Sequence, residues 1–403
     1  MWIPRDLAAL LSQPSLPARI IVGPRQSGKS SLLVHQLPEA IWLSLDDLQI
    51  RRRAQDDPAL LLESVGWGSG RPLILDEAAH APQLFPEIKR RIDLARFAGK
   101  QEPEVWLTGS NRQLLDRNVR ESLAGRASYF FLHSLAVSEL GAGASIADWF
   151  SRGGFPELYA RRELDPGRYF DDYVRTFVEK DIAATAGVQQ MDAFHRALAL
   201  LAARTGALLN ATAIGQAAGV KGQTVSGWLD LLEQNALALR LPPYHTNLSK
   251  RVVRTPKIYF LDLGLAAHLQ GWRSVEPLLV SPQAGGLFES LVLGELVRTR
   301  DHRGLSFGLH FWRTKEGEEV DFLLDLQPGA GPRWLAIEAK LGIQNVEPLA
   351  IPPLLSRALP SLREIWIVTP GGEEQRLSPT SRQLPIRLLA QRLSEALLAA
   401  DSA

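Results

Sequence analysis

The chain has 403 residues, too many for a single ordinary core, and about three domains are expected. Lys and Arg number 45 against 44 Asp and Glu, so net charge points to no partner and only local patches can. Cysteine is absent, which excludes disulfides, thiolate chemistry and cysteine-ligated zinc, and suits a cytoplasmic protein. The opening MWIPRDLAALLSQPS is a poor signal peptide, and no run nears the roughly 18 apolar residues of a membrane span.

The first element with chemistry is ARIIVGPRQSGKSSLLVHQL, residues 18–37. Ala18 to Val22 reads as an apolar strand, and Ser31 to Leu37 as a helix. Between them, Gly23, Pro24, Arg25, Gln26, Ser27, Gly28, Lys29 and Ser30 match G-x-x-x-x-G-K-[ST]. Backbone N–H groups of such a loop, with the helix N-terminus, cradle phosphates. Lys29 is placed to reach the β- and γ-phosphates, and Ser30 to hold Mg²⁺; Ser31 completes the phosphate-binding stretch. The strand Leu73 to Leu75 ends in Asp76 and Glu77. Asp76 suits the Mg²⁺ shell, and Glu77 suits the base that deprotonates an attacking water. A third strand, EVWLTGSN (104–111), presents Ser110 or Asn111 as a γ-phosphate sensor. Arg126, in SLAGRA (122–127), is a candidate arginine finger toward a neighbouring subunit.

The middle of the chain reads as helical. Tyr169, Tyr173, Phe177 and Ile182 recur at helical steps, as on a core-facing stripe. Residues 141–205 form the expected lid over a nucleotide core. NATAIGQAAGVKGQTVSGWLDLLEQNALALRL (210–241) has a helix-turn-helix pattern, with Gly219 at the turn. Lys221, Gln223, Thr224 and Ser226 lie at the start of its second helix, where bases and phosphates are reached. Lys250, Arg251, Arg254 and Lys257 concentrate positive charge in an expected hairpin wing that could neutralise phosphates. Winged helices also serve as protein-docking modules, so both uses stay open.

Beyond residue 283 the order changes. The helix GLFESLVLGELVRTR (286–300) carries Glu289 and Glu295. A strand hairpin follows, with Asp321 in its second strand, where Asp is disfavoured. WLAIEAK then ends a strand with Glu338 and Lys340, two residues apart and therefore on one face. Helix-Glu, strand-Asp, strand-Glu-x-Lys is the order of a PD-(D/E)xK nuclease core, although the usual proline before the aspartate is absent. Glu289, Asp321 and Glu338 are the oxygen donors expected to take Mg²⁺. Lys340 would position the water or offset developing charge.

GPRQSGKSSL, LILDEAAH, LTGSNRQLL, SLAGRA, RGGFPELYA (152–160), KRVVRTPKIYFLDLGLAAHL, GLFESLVLGEL and EEVDFLLDL together resemble the AAA-type ATPases with a C-terminal DUF4143 region. The resemblance spans nearly the whole chain in order. It implies an ASCE-type parallel sheet with the Walker B acids on a central strand, ATP as the nucleotide, and a homo-oligomer, most plausibly a hexamer. The expected fold is therefore α/β. A P-loop ATPase core occupies 1–140 and a helical lid 141–205. A winged helix-turn-helix follows at 206–270, then a PD-(D/E)xK nuclease-like α/β domain at 283–403. The expected function is ATP hydrolysis coupled to a Mg-dependent nuclease acting on DNA, branched or single-stranded forms included. The alternative is a regulatory ATPase whose C-terminal modules bind nucleic acid or protein without cutting. No membrane partner is expected.

Overall fold

The computed structural model describes the chain apart from residues 1, 110–114, 116–118, 120, 185–186, 245–251, 330–332, 343–345 and 402–403. The chain divides into two compact units. The first holds Pro4–Ser134 with Asp301–Arg303; the second holds Leu135–Arg300 and Gly304–Ala403, with Met1–Ile3.

The first unit is built on a parallel sheet of β1 (Ala18–Val22), β2 (Ile41–Ser44), β3 (Leu73–Asp76), β4 (Val105–Gly109) and β5 (Ala127–Phe131). Its spatial order is β2-β3-β4-β1-β5. Ile20, Ile21, Leu73, Ile74, Leu75, Val105, Trp106 and Leu107 are all buried, because crossover helices cover a parallel sheet on both faces. The order matters for function. β4 stands between β1 and β3, so the ends of three strands meet at one edge.

The second unit begins with helices. Ser145 caps the helix Ile146–Arg152, accepting from Asp148 N–H while the Asp148 carboxylate accepts in return from Ser145. Phe155 sets its ring edge-on to Tyr169, Phe170 and Tyr173. The aromatic stripe is packing, as its spacing predicts. The helix Pro166–Tyr173 passes into a π-helical stretch, Val174–Ala184. The helix Met191–Ala202 leads to the helices Ala211–Ala218 and Gly222–Gln234. Gly219 makes the turn between the last two with φ +82°, a left-handed conformation that favours glycine. β6 (Ala238–Leu241) and β7 (Lys257–Phe260) then pair antiparallel.

The long helix Gln283–Arg303 precedes a mixed six-stranded sheet. Its strands are β8 (Gly308–Arg313), β9 (Glu319–Asp325), β10 (Trp334–Ala339), β11 (Ile365–Thr369), β12 (Gln375–Ser378) and β13 (Ser381–Pro385), in the order β12-β13-β11-β10-β9-β8. β9 pairs antiparallel with β10, and β10 pairs parallel with β11. Described residues at both ends of the connection between β6 and β7 lie beside β8. Tyr244 N–H donates to Phe311 O at 2.7 Å, and Val253 N–H to Arg313 O at 3.0 Å. Val252 enters the same apolar cluster as Trp312, Val320, Leu323 and Trp334.

Candidate nucleotide and carboxylate sites

At the C-terminal end of β1, the loop Gly23–Gly28 turns directly into the helix Lys29–Gln36. A Cβ on Gly23 would stand 2.0 Å from Leu132 O, so no larger residue fits there. Gly28 takes φ +93° and Gln26 φ +61°. Arg5, buried, donates to Ser27 O at 2.6 Å and to His133 O at 2.8 Å, pinning the loop from beneath. Lys29 is buried and donates to Gly23 O and Pro24 O, both at 3.0 Å. Burial pushes its pKa down to about 8, against the pull of Glu77 and Asp76. Arg25, Gln26 and Ser31 are exposed.

Ser30 Oγ donates to Asp76 Oδ1 at 3.0 Å, joining the helix Lys29–Gln36 to the end of β3. Thr108, fully buried on β4, donates to the same oxygen at 2.5 Å. Thr108 Oγ1 also accepts from Glu77 N–H at 3.1 Å. Glu77 has φ +54°, a left-handed conformation that costs a non-glycine residue about 1 kcal/mol or more. Backbone strain of this kind clusters at functional sites. Ser110 and Asn111, the expected sensors, lie outside the described residues. Sequence reading missed Thr108 and Arg5. The first could have been found by placing a hydroxyl at the end of the strand between β1 and β3. The second had no signal.

The loop fits a nucleoside triphosphate with its Mg²⁺. Ser27 Oγ is buried with no hydrogen-bond partner, as a group awaiting a ligand would be. The Ser30 hydroxyl and Asp76 carboxylate supply hard oxygen donors, and a metal here would share the rest of its shell with phosphate and water. Arg126, the expected finger, gives two hydrogen bonds to Asp93, at 2.6 and 2.9 Å.

In the second unit, Glu289, Asp321, Glu338 and Lys340 lie close together. Ala339 N–H donates to Asp321 Oδ2 at 2.9 Å, and Asp321 N–H to Glu338 Oε1 at 3.3 Å. Lys340 Nζ lies 3.0 Å from Glu338 Oε2. Glu295 stands apart, accepting from Val137 and Ser138 N–H, and is structural. Burial, with the nearby Asp321 charge, raises Glu289 and Glu338 to a pKa of about 7.

One expectation is corrected. Lys257 is not on an exposed wing but 2% exposed inside this cluster. Its Nζ lies 2.5 Å from Glu319, 3.3 Å from Glu289 and 3.9 Å from Asp321. Burial works against its charge, yet Glu289, Asp321 and Glu319 hold its pKa above the ordinary lysine value. Sequence reading missed this because Lys257 is adjacent to basic residues in the chain but opens a strand, β7, whose first side chain turns inward. Among the described residues, no three His, Asp or Glu side chains are arranged to hold a metal ion. As it stands, the cluster already holds an ammonium among its carboxylates.

Residues 16–141 match the model of an AAA domain, and residues 284–389 match DUF4143, a domain of unknown function. Residues 143–276 match another domain of unknown function, DUF8612. An uncharacterized protein of Mycobacterium tuberculosis is 31% identical over 393 residues, covering 94% of this chain and 83% of that protein. The chain belongs to the family of AAA-type ATPases with a C-terminal DUF4143 region. A more distant member of the comparison, an uncharacterized protein of Haemophilus influenzae, is 22% identical over 333 residues, covering 76% of this chain and 78% of that one. Among solved structures, the Walker-type ATPase of Pyrococcus abyssi gives a TM-score of 0.39 at 15% identity, covering 66% of this chain and 94% of that one. The AAA-type ATPase assignment accounts for the parallel sheet and the array at its edge. No helix among the described residues is long and apolar enough to cross a membrane.

Proposed function

We propose that the chain is an ATP hydrolase acting as a nucleotide-driven switch, with DNA as the partner of its second unit. The observation that carries the first half is the Ser30–Asp76–Thr108 array beside a strained Glu77 and an unpartnered Ser27 hydroxyl. Bound Mg²⁺ would neutralise triphosphate charge there. Lys29 would bind the terminal phosphates, Asp76 and Ser30 would hold the ion, and Glu77 would take the proton of the attacking water. The DNA half is supported by Lys221, Gln223 and Thr224, which are exposed at the start of the helix Gly222–Gln234, and by exposed Arg254. In a winged helix-turn-helix this is the face that meets DNA. Lys250 and Arg251 lie outside the described residues. Leu94 and Phe97, exposed on the helix Leu84–Phe97, support a homo-oligomer in which that face is covered. We take a hexamer as the first state to test.

The experiment is ATP hydrolysis by the full chain with and without DNA, beside Lys29→Ala and Glu77→Gln. DNA-stimulated turnover lost in both variants supports the proposal. Equal turnover in all three removes it. A second reading, a Mg-dependent nuclease, is favoured by the hydrogen-bonded set of Asp321 on β9, Glu338 on β10 and Lys340 just after β10. Cleavage of branched, single-stranded and duplex DNA, lost in Asp321→Ala, would establish it.

A further inference from the structure

A buried lysine is rare unless paired, and it loses hydration that only several carboxylates can replace. Lys257 has three within 4 Å: Glu289, Glu319 and Asp321. Its position is not adjustable by a loose loop. Lys257 opens β7, Ile258 N–H donates to Ala207 O at 3.0 Å, and Gly206 N–H donates to Ile258 O at 2.8 Å. The ammonium lies over the rings of Phe311 and Tyr259, 5.6 and 5.9 Å from their centroids. The Tyr259 hydroxyl also donates to Glu289, at 3.0 Å. Lys257 thus comes from the β6–β7 region, and its carboxylates come from the helix and the hairpin beyond residue 283. A divalent ion placed among the same oxygens would meet an ammonium already there, at a Coulomb cost that low local polarity amplifies.

We propose that Lys257 is the resident cation among Glu289, Glu319 and Asp321, occupying two of the three carboxylates that a nuclease of this pattern would turn to its metal ion, and that it fastens β7 to the C-terminal sheet. The cluster is then a charge lock in place of a metal centre. The inference rests on reading Glu289, Asp321 and Glu338 as a nuclease-like set; it departs from the nuclease reading in what fills that set.

The test uses the full chain with Asp76→Asn in every sample, which removes the nucleotide site's own metal carboxylate, and Mn²⁺ as the probe. Mn²⁺ binding is followed by electron paramagnetic resonance and stability by thermal melting. With Lys257 present, no Asp321-dependent binding and no Mn²⁺-induced rise in melting midpoint are expected. Lys257→Met keeps the stem and removes the charge. It should melt lower, bind Mn²⁺ and recover part of its lost midpoint in Mn²⁺, and Asp321→Asn should abolish that recovery. Lys257→Arg should behave as the parent, which keeps the test decisive if Lys257→Met does not fold. Asp321-dependent Mn²⁺ binding by the protein that retains Lys257 would overturn the proposal. So would a folded Lys257→Met variant indifferent to Mn²⁺. ATP hydrolysis by the unaltered chain is a separate readout, so this proposal and the ATPase reading fail independently.

Discussion

Thr108 on β4 grips the Asp76 carboxylate of β3 with its hydroxyl, 2.5 Å from Oδ1. Asp76 is thereby aimed by a neighbouring strand rather than by its own turn. Residues that orient a metal-binding carboxylate typically matter by about 10- to 100-fold in affinity or activity. Thr108→Val keeps the shape and removes the hydroxyl. It should lower ATP turnover by about that factor and raise the Mg²⁺ concentration needed for half-maximal rate. Titrating Mg²⁺ at saturating ATP checks this; an unchanged midpoint would show that Asp76 is held without Thr108.

Glu77 combines a proposed chemical role with a left-handed backbone, φ +54°. Glu77→Gln should bind ATP as the parent does and fail to turn over, since shape survives and the base is lost. Glu77→Gly should also lose turnover but should gain about 1 kcal/mol of stability, because glycine adopts this φ without strain. Paired denaturation and hydrolysis measurements on the two variants separate the contributions. A destabilised Glu77→Gly variant would mean that the side chain's own contacts outweigh the strain.

Lys29, with its pKa held down to about 8 by burial, sets a pH window. Its folded pKa lies below the unfolded one. Between pH about 8 and the ordinary lysine value of 10.5 the unfolded chain therefore binds more protons, and stability rises with pH through this group. Triphosphate favours the charged ammonium, so ATP binding above pH 8 must draw in a proton. Affinity should fall by up to about tenfold per pH unit there. Calorimetry in two buffers of different ionisation enthalpy should give near-zero proton uptake at pH 6.5 and close to one proton at pH 9. Equal uptake at both values would refute the assignment.

Arg126 is bonded twice to Asp93 within its own unit. The expected outcome is that Arg126→Ala and Asp93→Ala lower the melting midpoint alike and slightly. The double variant should fall no further, and ATP turnover should be unchanged at every protein concentration. A finger reaching a neighbouring subunit gives a different pattern. Arg126→Ala would then lose turnover while Asp93→Ala kept it, with specific activity rising as protein is concentrated.

Much of this was legible in the sequence because it is written in local patterns. Gly23 to Ser30 between an apolar strand and a helix declares itself, as do Asp76 and Glu77 at a strand end. Asp321, Glu338 and Lys340 obey strand alternation, and the structure brings them into hydrogen-bond reach. What was not legible is long-range. Lys257 reads as one more basic residue beside Arg254, yet the β7 backbone turns it into a carboxylate cluster assembled from residues 32 to 64 positions further on. Thr108 gained its role from the placement of β4 between β1 and β3. Arg5 reaches the phosphate loop from 22 positions away. No periodicity announces such contacts; each depends on where the chain returns.

The strap formed by Tyr244, Val252 and Val253 along β8 bears on how this protein can be cut. The DUF4143 match begins at residue 284, which invites expression of the C-terminal region alone. Such a fragment would leave behind Val252, part of the apolar cluster, and would uncover β8 as an open sheet edge next to Trp312. It would also strand Glu289, Glu319 and Asp321 without their lysine. An open edge invites strand pairing between molecules, and unpaired buried acids weaken the fold. The recombinant fragment should be insoluble or should self-associate, whereas one starting before Leu135 should stay monodisperse. Where a sequence profile stops and where a polypeptide can be severed are here two different places.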